Sequence, residues 1–240
     1  MLHKAISIII PIFNEEKFIE TVLQSVLQAD TLGLKKEIII VDDKSTDSTI
    51  RKLKNFSAKN KGQIKVILKK KNEGKGSALR VGILASKGDL VLIQDADLEY
   101  NPQEYPLLLE PFMKHSADVV YGSRFISNRP HRVLYFWHYV GNVFLTVLSN
   151  ILTNLNLTDM ETGFKVFRGN IIRSIALNLK SKRFGFEPEV TARISKLNDI
   201  RVYEVGISYF GRTYAEGKKI SWKDGLRAVW EIFVYNVFNI

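Results

Sequence analysis

Four short runs dominated by Ile, Val and Leu punctuate the first hundred residues: Ala5 to Ile12, Glu37 to Val41, Ile64 to Leu68 and Leu90 to Ile93. Runs this short and this continuously apolar predict strands buried on both faces, the habit of a parallel sheet. Between them the apolar period lengthens. Phe18, Ile19, Val22, Leu23, Val26 and Leu27 recur every three or four positions and predict a helix over 15 to 27, with further helices over 48 to 59 and 77 to 86. Alternating strands and helices joined by short polar turns predict a doubly wound α/β domain, in which ligands bind beyond the carboxyl ends of the strands. Each strand runs into a polar loop at that end: PIFNEE, DDKSTDST, KKKNEGKGS and QDADLEY.

Beyond residue 130 the pattern changes. Residues 133 to 155 carry no formal charge unless His138 is protonated, and the stretch is long enough for a membrane span. Yet His138, Asn142, Thr146, Ser149 or Asn150, and Thr153 draw a polar stripe along the predicted helix. Such a stripe suits a helix lying in the bilayer interface, with burial against the protein core as the alternative, better than a helix crossing the bilayer. The stretch from 222 to 240 repeats the theme. Trp222, Leu226, Val229, Trp230, Phe233 and Val237 fall on one side, and Lys223, Asp224, Arg227 and Glu231 on another. Its aromatic content suits a headgroup-level anchor or a dimer surface.

With 240 residues, 45% of them apolar, and no repeat or low-complexity tract, the chain is expected to form one catalytic domain over 1 to 220 with an appended amphipathic helix over 221 to 240. The absence of cysteine excludes disulfides, thiolate metal sites and thiol nucleophiles, so any metal must use oxygen or imidazole ligands. The opening MLHKAISIIIPIFNEE meets charge too soon for a signal peptide, and a cytoplasmic protein is expected. A net charge of +10 attracts nucleic acid, anionic lipid and phosphorylated substrates alike. Residues 51 to 80 hold a single aromatic, Phe56, at core spacing, which argues against a nucleic-acid surface. The basic runs KKKNEGKGSALR and GRTYAEGKKISWK instead mix cations with Gly, as phosphate-contacting loops do.

The densest chemistry follows the fourth strand, where Asp95, Ala96 and Asp97 are followed by Glu99. Carboxylates two apart suit a hard cation such as Mg²⁺ or Mn²⁺, whose remaining ligands a diphosphate substrate supplies. Asp47 or Ser48 is explained as a helix cap. The adjacent Asp42 and Asp43 are not, because they repel unless a cation or hydrogen-bond donor faces them. The ordered set, Pro11, Phe13, Asn14 and Glu15, then Val41 to Thr49, Asn72 to Ala78, and Asp95 with Asp97, resembles the family 2 glycosyltransferases and their A-type nucleotide-sugar-binding fold. YGSRF, DMETGFKVFR, FGFEPEVTARISK and GRTYAEGKKISWKDG are similar to the dolichol-phosphate mannosyltransferase branch and its bacterial polyprenyl-phosphate relatives. The match departs at Glu99, a position often Gln in the mannosyltransferases. The Gln-X-X-Arg-Trp signature of processive synthases is absent, which favours transfer of one sugar.

The resemblance implies a metal-dependent transfer of one hexose from a nucleoside diphosphate sugar, of the GDP-mannose or UDP-glucose type, to a polyprenyl or dolichyl phosphate at the cytoplasmic membrane face. It further implies that Pro11, Phe13, Asn14, Glu15 and Asp43 hold nucleobase and ribose, with Asp42 beside them or supporting the loop. Asp95, Asp97 and Glu99 would bind Mg²⁺ or Mn²⁺. Arg124 is the candidate for the acceptor phosphate, and Arg212 and Lys218 for a gate over the diphosphate. Lys75, next to Gly76 at a helix start, would meet the nucleotide. Glu187 and Glu189 are read two ways, as ligands of sugar hydroxyls or basic loops and as helix caps. A phosphate monoester is largely dianionic at neutral pH, so no strong general base is needed, and a single displacement inverts the anomeric centre. Expected partners are the membrane surface and an integral-membrane protein or second copy, without nucleic acid. Two alternatives stand beside this reading: an enzyme using a soluble or cell-envelope saccharide acceptor, and a non-catalytic nucleotide-sugar-binding protein on the membrane.

Overall fold

A computed structural model describes residues 3 to 60, 62 to 126, 131 to 133, 135 to 213 and 222 to 238. Strands β1 (Ala5–Ile12), β2 (Lys35–Asp42), β3 (Ile64–Leu68) and β4 (Leu90–Ile93) form at the four apolar runs. With β5 (Val119–Ser123), β6 (Lys165–Arg168) and β7 (Val202–Gly206) they make one sheet of order β3-β2-β1-β4-β6-β5-β7. Only β6 runs antiparallel to its neighbours, β4 and β5. The order reverses between β1 and β4, and a crevice opens beyond the carboxyl ends of strands at such a switch point.

The helices are α1 (Ile19–Gln28), α2 (Thr49–Lys59), α3 (Lys75–Ala85), α4 (Tyr105–Lys114), α5 (Phe136–Thr153), α6 (Gly169–Asn178), α7 (Phe186–Ser195) and α8 (Trp222–Val237). Alternation along the strands divides the core in two. Ile8, Ile10, Ile38 and Ile40 meet Val22, Leu23, Leu53 and Leu108 from α1, α2 and α4. On the opposite face Ile9, Ile39 and Val41 meet Leu79, Ile83, Ile172 and Val190 from α3, α6 and α7. Burial on both faces is why these strands read as unbroken apolar runs. Helix α1 is preceded by a turn in which the Phe18 and Ile19 amides donate to the Glu15 carbonyl at 3.1 and 3.0 Å, after Asn14 has taken a left-handed φ of 53°.

Helices α5 and α8 pack on each other and on α7. The polar stripe of α5 faces inward: Thr146, Ser149 and Thr153 are buried. Thr146 Oγ1 accepts from the Met160 amide at 3.1 Å, and the Asn150 side chain exchanges hydrogen bonds with the Leu157 backbone. Partnered polar groups are tolerated in a protein interior, so burial against the core, the alternative reading of the stripe, is what the packing realises. The apolar side of α5, with Phe136, Trp137, Phe144, Val147 and Ile151, is left exposed beside Leu226, Trp230 and Phe233 of α8. In α8 the residue Glu231, grouped by sequence with the solvated side, is buried against Gly185, where a Cβ would overlap its carboxylate. No described helix is long and apolar enough to cross a membrane.

Candidate active site

The loops leaving β1, β2, β3 and β4 meet the segments around Arg124, Glu161, Glu187 and Arg212 around a cleft of about 740 Å³. Lys75, the first residue of α3, places Nζ 3.0 Å from Asp95 and 3.0 Å from Glu187. Burial alone would lower the pKa of Lys75, but the two carboxylates hold it well above its ordinary value. On the opposite wall Arg212 pairs with Asp97 at 3.0 Å, Glu99 at 3.4 Å and Glu15 at 3.7 Å. Asp95 and Glu187 therefore share one cation, and Glu15, Asp97 and Glu99 another. Burial, then Asp95 and Glu99, push the Asp97 carboxyl up to about 7.

That surplus of negative charge decides whether a metal fits. A pyrophosphate entering a pocket where five carboxylates share two cations needs further positive charge to offset both sets of negative groups. Asp95 and Asp97 offer oxygen donors at the cleft wall, so a hard dication fits them in chemistry and charge. Glu99 lines the same cleft, where one of its oxygens accepts from the Tyr209 hydroxyl at 2.8 Å and the other from the Arg212 amide at 2.8 Å. Among the described residues no three acidic or imidazole side chains stand in ligand geometry. Gly163 allows Asp95 its position, since a Cβ there would overlap the Asp95 carboxylate.

Pro11, Phe13, Glu15, Asp43, Lys75, Asp95, Ala96, Asp97, Arg124, Glu187 and Arg212 all line the cleft. Asp43 is also a loop clamp: its carboxylate accepts from Lys69 Nζ at 2.6 Å and from the amides of Glu73 and Gly74. Four other residues singled out in the sequence make contacts within the protein. The Asn14 side chain pairs with Thr46, tying the first loop to the second. Asp42 is fully buried and accepts from the Ser45 amide at 3.0 Å. A Cβ on Gly76 would lie 2.6 Å from the Ser181 carbonyl, so the glycine serves close packing. Glu189 is buried under the amides of Lys180 and Ser181 and pairs with Arg193 at 2.7 Å. Lys218 lies outside the described residues.

Arg124 is clamped. Its Nε and Nη2 each donate to the buried Asp159 carboxylate at 2.7 Å, and its guanidinium lies 5.1 Å from the Tyr209 ring. Asp159 is itself placed by Glu204, which accepts from the amides of Thr158 and Asp159 at 2.9 Å and 3.0 Å. Sequence reasoning did not single out Asp159, Glu161, Lys165, Glu204 or Tyr209. The stretch DMETGFKVFR holds three of them, but a carboxylate every other residue in an irregular segment has no period to mark it.

The sequence model of the family described as Glycosyl transferase family 2 matches residues 7 to 175. A dolichol-phosphate mannosyltransferase of Pyrococcus furiosus is 29% identical over 90% of this chain, which spans 60% of that protein's length. A UDP-N-acetylglucosamine–dolichyl-phosphate N-acetylglucosaminyltransferase of Methanococcus voltae is 25% identical over all of this chain and 99% of its own. In fold, the chain is similar to glucosyl-3-phosphoglycerate synthase of Mycobacterium tuberculosis, solved with Mn²⁺, uridine diphosphate and phosphoglyceric acid. That likeness has a TM-score of 0.71 at 20% identity and covers 98% of this chain and 79% of the other.

Proposed function

Since the chain belongs to glycosyl transferase family 2, we propose that it transfers a single hexose from a nucleoside diphosphate sugar to a polyprenyl phosphate at a membrane surface. The observation that carries this reading is the continuity of two unlike surfaces. The cleft that holds Asp95, Asp97 and Arg212 extends to Trp137, His138 and Asn142 of α5 and Gly225 and Ala228 of α8, the helices whose outer sides are apolar and exposed. A charged donor and a greasy acceptor would meet at that junction. Exposed Trp and Phe on adjacent helices suit the headgroup region, where an aromatic ring keeps its apolar body in lipid. The names of the Pyrococcus and Methanococcus relatives, both dolichyl-phosphate enzymes, support the same acceptor class.

In this reading Asp95 and Asp97 hold Mg²⁺ or Mn²⁺, which when bound polarises the diphosphate and stabilises it as a leaving group. Lys75 and Arg212 then shift from carboxylate partners to diphosphate partners. Pro11, Phe13 and Glu15 form the wall for the nucleoside. Arg124, held at fixed orientation by Asp159, offers its unpaired N–H groups to the acceptor phosphate. A rigid guanidinium suits a phosphate that must be aimed, because little rotamer freedom is left to lose on binding.

The test is to incubate the purified chain with Mn²⁺, a short polyprenyl phosphate in mixed micelles and a panel of nucleotide sugars. Mass spectrometry should find one glycosylated lipid phosphate. Transfer to soluble phosphate esters with none to lipid would replace this acceptor by a soluble one, and metal-dependent nucleotide binding without transfer would point to a binding role.

A further inference from the structure

Segment 159 to 163 links the groups proposed for the two substrates, with Glu161 and Gly163 on the cleft wall. At one end Asp159 holds Arg124, facing the acceptor phosphate. At the other, Gly163 packs against the carboxylate of Asp95, on the diphosphate side. In a single displacement the transferred sugar lies between leaving group and nucleophile, so it must lie along this segment. Glu161 stands at the middle and lines the cleft. Its Oε1 is sealed from solvent and has no hydrogen-bond partner among the described residues. A buried carboxyl oxygen without a donor is costly, and such an atom in a substrate cleft is a site awaiting a ligand hydrogen. Lys165 fixes the backbone around it, since its Nζ donates to the carbonyls of Met160, at 3.0 Å, and Thr162.

We infer that Glu161 recognises the transferred sugar through a hydrogen bond between its carboxyl group and one sugar hydroxyl. The inference rests on the proposed function for the nature of the donor. A hydroxyl suits the site because it both donates and accepts, and so pairs with the carboxyl group in either protonation state. Burial and the nearby Glu187 carboxylate favour the protonated form in the free protein. Glu187, held by Lys75, is the second carboxyl beside the same space.

The test uses calorimetry with the whole chain, comparing wild type, Glu161→Ala and Glu161→Gln for binding of the nucleotide sugar, its monodeoxy derivatives and the nucleoside diphosphate alone. Removing one buried partner of such a bond is expected to weaken binding of the complete donor roughly 10- to 100-fold in Glu161→Ala. Affinity for the sugar-free diphosphate should stay within about twofold, because that ligand lacks the hydroxyl. For one deoxy donor the wild type and Glu161→Ala should bind alike, and Glu161→Gln should restore most of the affinity for the complete donor. Equal loss for donor and bare diphosphate, an undiminished loss across every deoxy donor, or no loss at all would each overturn the assignment. Sugar transfer measured on the same wild-type preparation reports separately on the proposed function: a protein that binds the donor through Glu161 but transfers nothing refutes that reading and leaves this one standing.

Discussion

Replacing Asp159 by Asn removes the counter-ion of Arg124 while preserving shape. The Asp159 side chain is fully buried and that of Arg124 is 12% exposed, so water cannot take over the role of the lost charge. Asp159 accepts from Arg124 Nε, Nη2 and the backbone amide, at 2.7, 2.7 and 3.0 Å. Breaking a buried pair from one side costs about 3–5 kcal/mol, since the remaining ion is stranded in low dielectric. The Tyr209 ring, 5.1 Å from the guanidinium, is present in both proteins and does not offset this loss. A loss of about 3–5 kcal/mol corresponds to a fall in Tm of roughly 6–20 °C for a domain of this size. The reverse truncation, Arg124→Gln, strands the carboxylate and should cost a similar amount. Combining the two removes both ions, so the double variant should be little worse than either single, with a coupling energy of about 2 kcal/mol or more. Urea unfolding followed by circular dichroism, with unchanged m-values, measures all four corners of the cycle. Single losses that simply add would refute the buried-pair reasoning.

Three further outcomes follow from the same geometry. Lys75→Met leaves Asp95 and Glu187 without their shared cation, and nucleotide-sugar affinity measured by calorimetry should fall roughly 10- to 100-fold, the value of one or two charge-assisted hydrogen bonds; an unchanged Kd would place the diphosphate elsewhere. Trp137 and Trp230 are 77% and 63% exposed, so Trp137→Ser with Trp230→Ser should alter unfolding free energy by no more than about 1 kcal/mol while sharply reducing co-sedimentation with anionic lipid vesicles. Vesicle binding that survives the pair would move the membrane contact to another surface. Burial, followed by Glu187, raises the Glu161 carboxyl from its ordinary 4.5 to about 8, so across that interval the folded state keeps a proton that the unfolded chain has released. Stability therefore declines as pH rises through it. Glu161→Gln should flatten that decline in thermal melts taken between pH 5 and 8, and an identical slope would show that Glu161 ionises normally.

The repeating parts of the molecule were readable from the sequence, and the placement of polar side chains was readable in part. Runs such as Ala5 to Ile12 became strands because burial on both faces leaves an unbroken apolar signal, and the loops holding Asp43, Lys75, Asp95 and Asp97 followed from where those strands stop. The helical period of α5 was equally plain, but a stripe of Thr, Ser and Asn does not say whether it faces water or a protein interior. Only the Met160 and Leu157 backbone groups opposite it decide that. Motif residues divided for a related reason. Asn14 and Glu189 are as polar as Asp95, yet each is bound by backbone amides or side chains that only the folded loops bring within reach, whereas Asp42 has one oxygen on the Ser45 amide and the other buried without a partner among the described residues. Glu161 escaped because its significance lies in what it lacks, a partner, and a missing hydrogen bond leaves no trace in a sequence.

The central claim, transfer of one sugar to a lipid phosphate, is tested most directly by competition. One tube would hold the nucleotide sugar, Mn²⁺, a short polyprenyl phosphate and an equal concentration of phosphoglyceric acid, with products identified by mass spectrometry. Sugar is expected on the lipid phosphate, with none on the soluble ester and no product when Asp97→Ala replaces the wild type. Sugar appearing on phosphoglyceric acid in preference to the lipid, or undiminished transfer by the Asp97 variant, would contradict that claim.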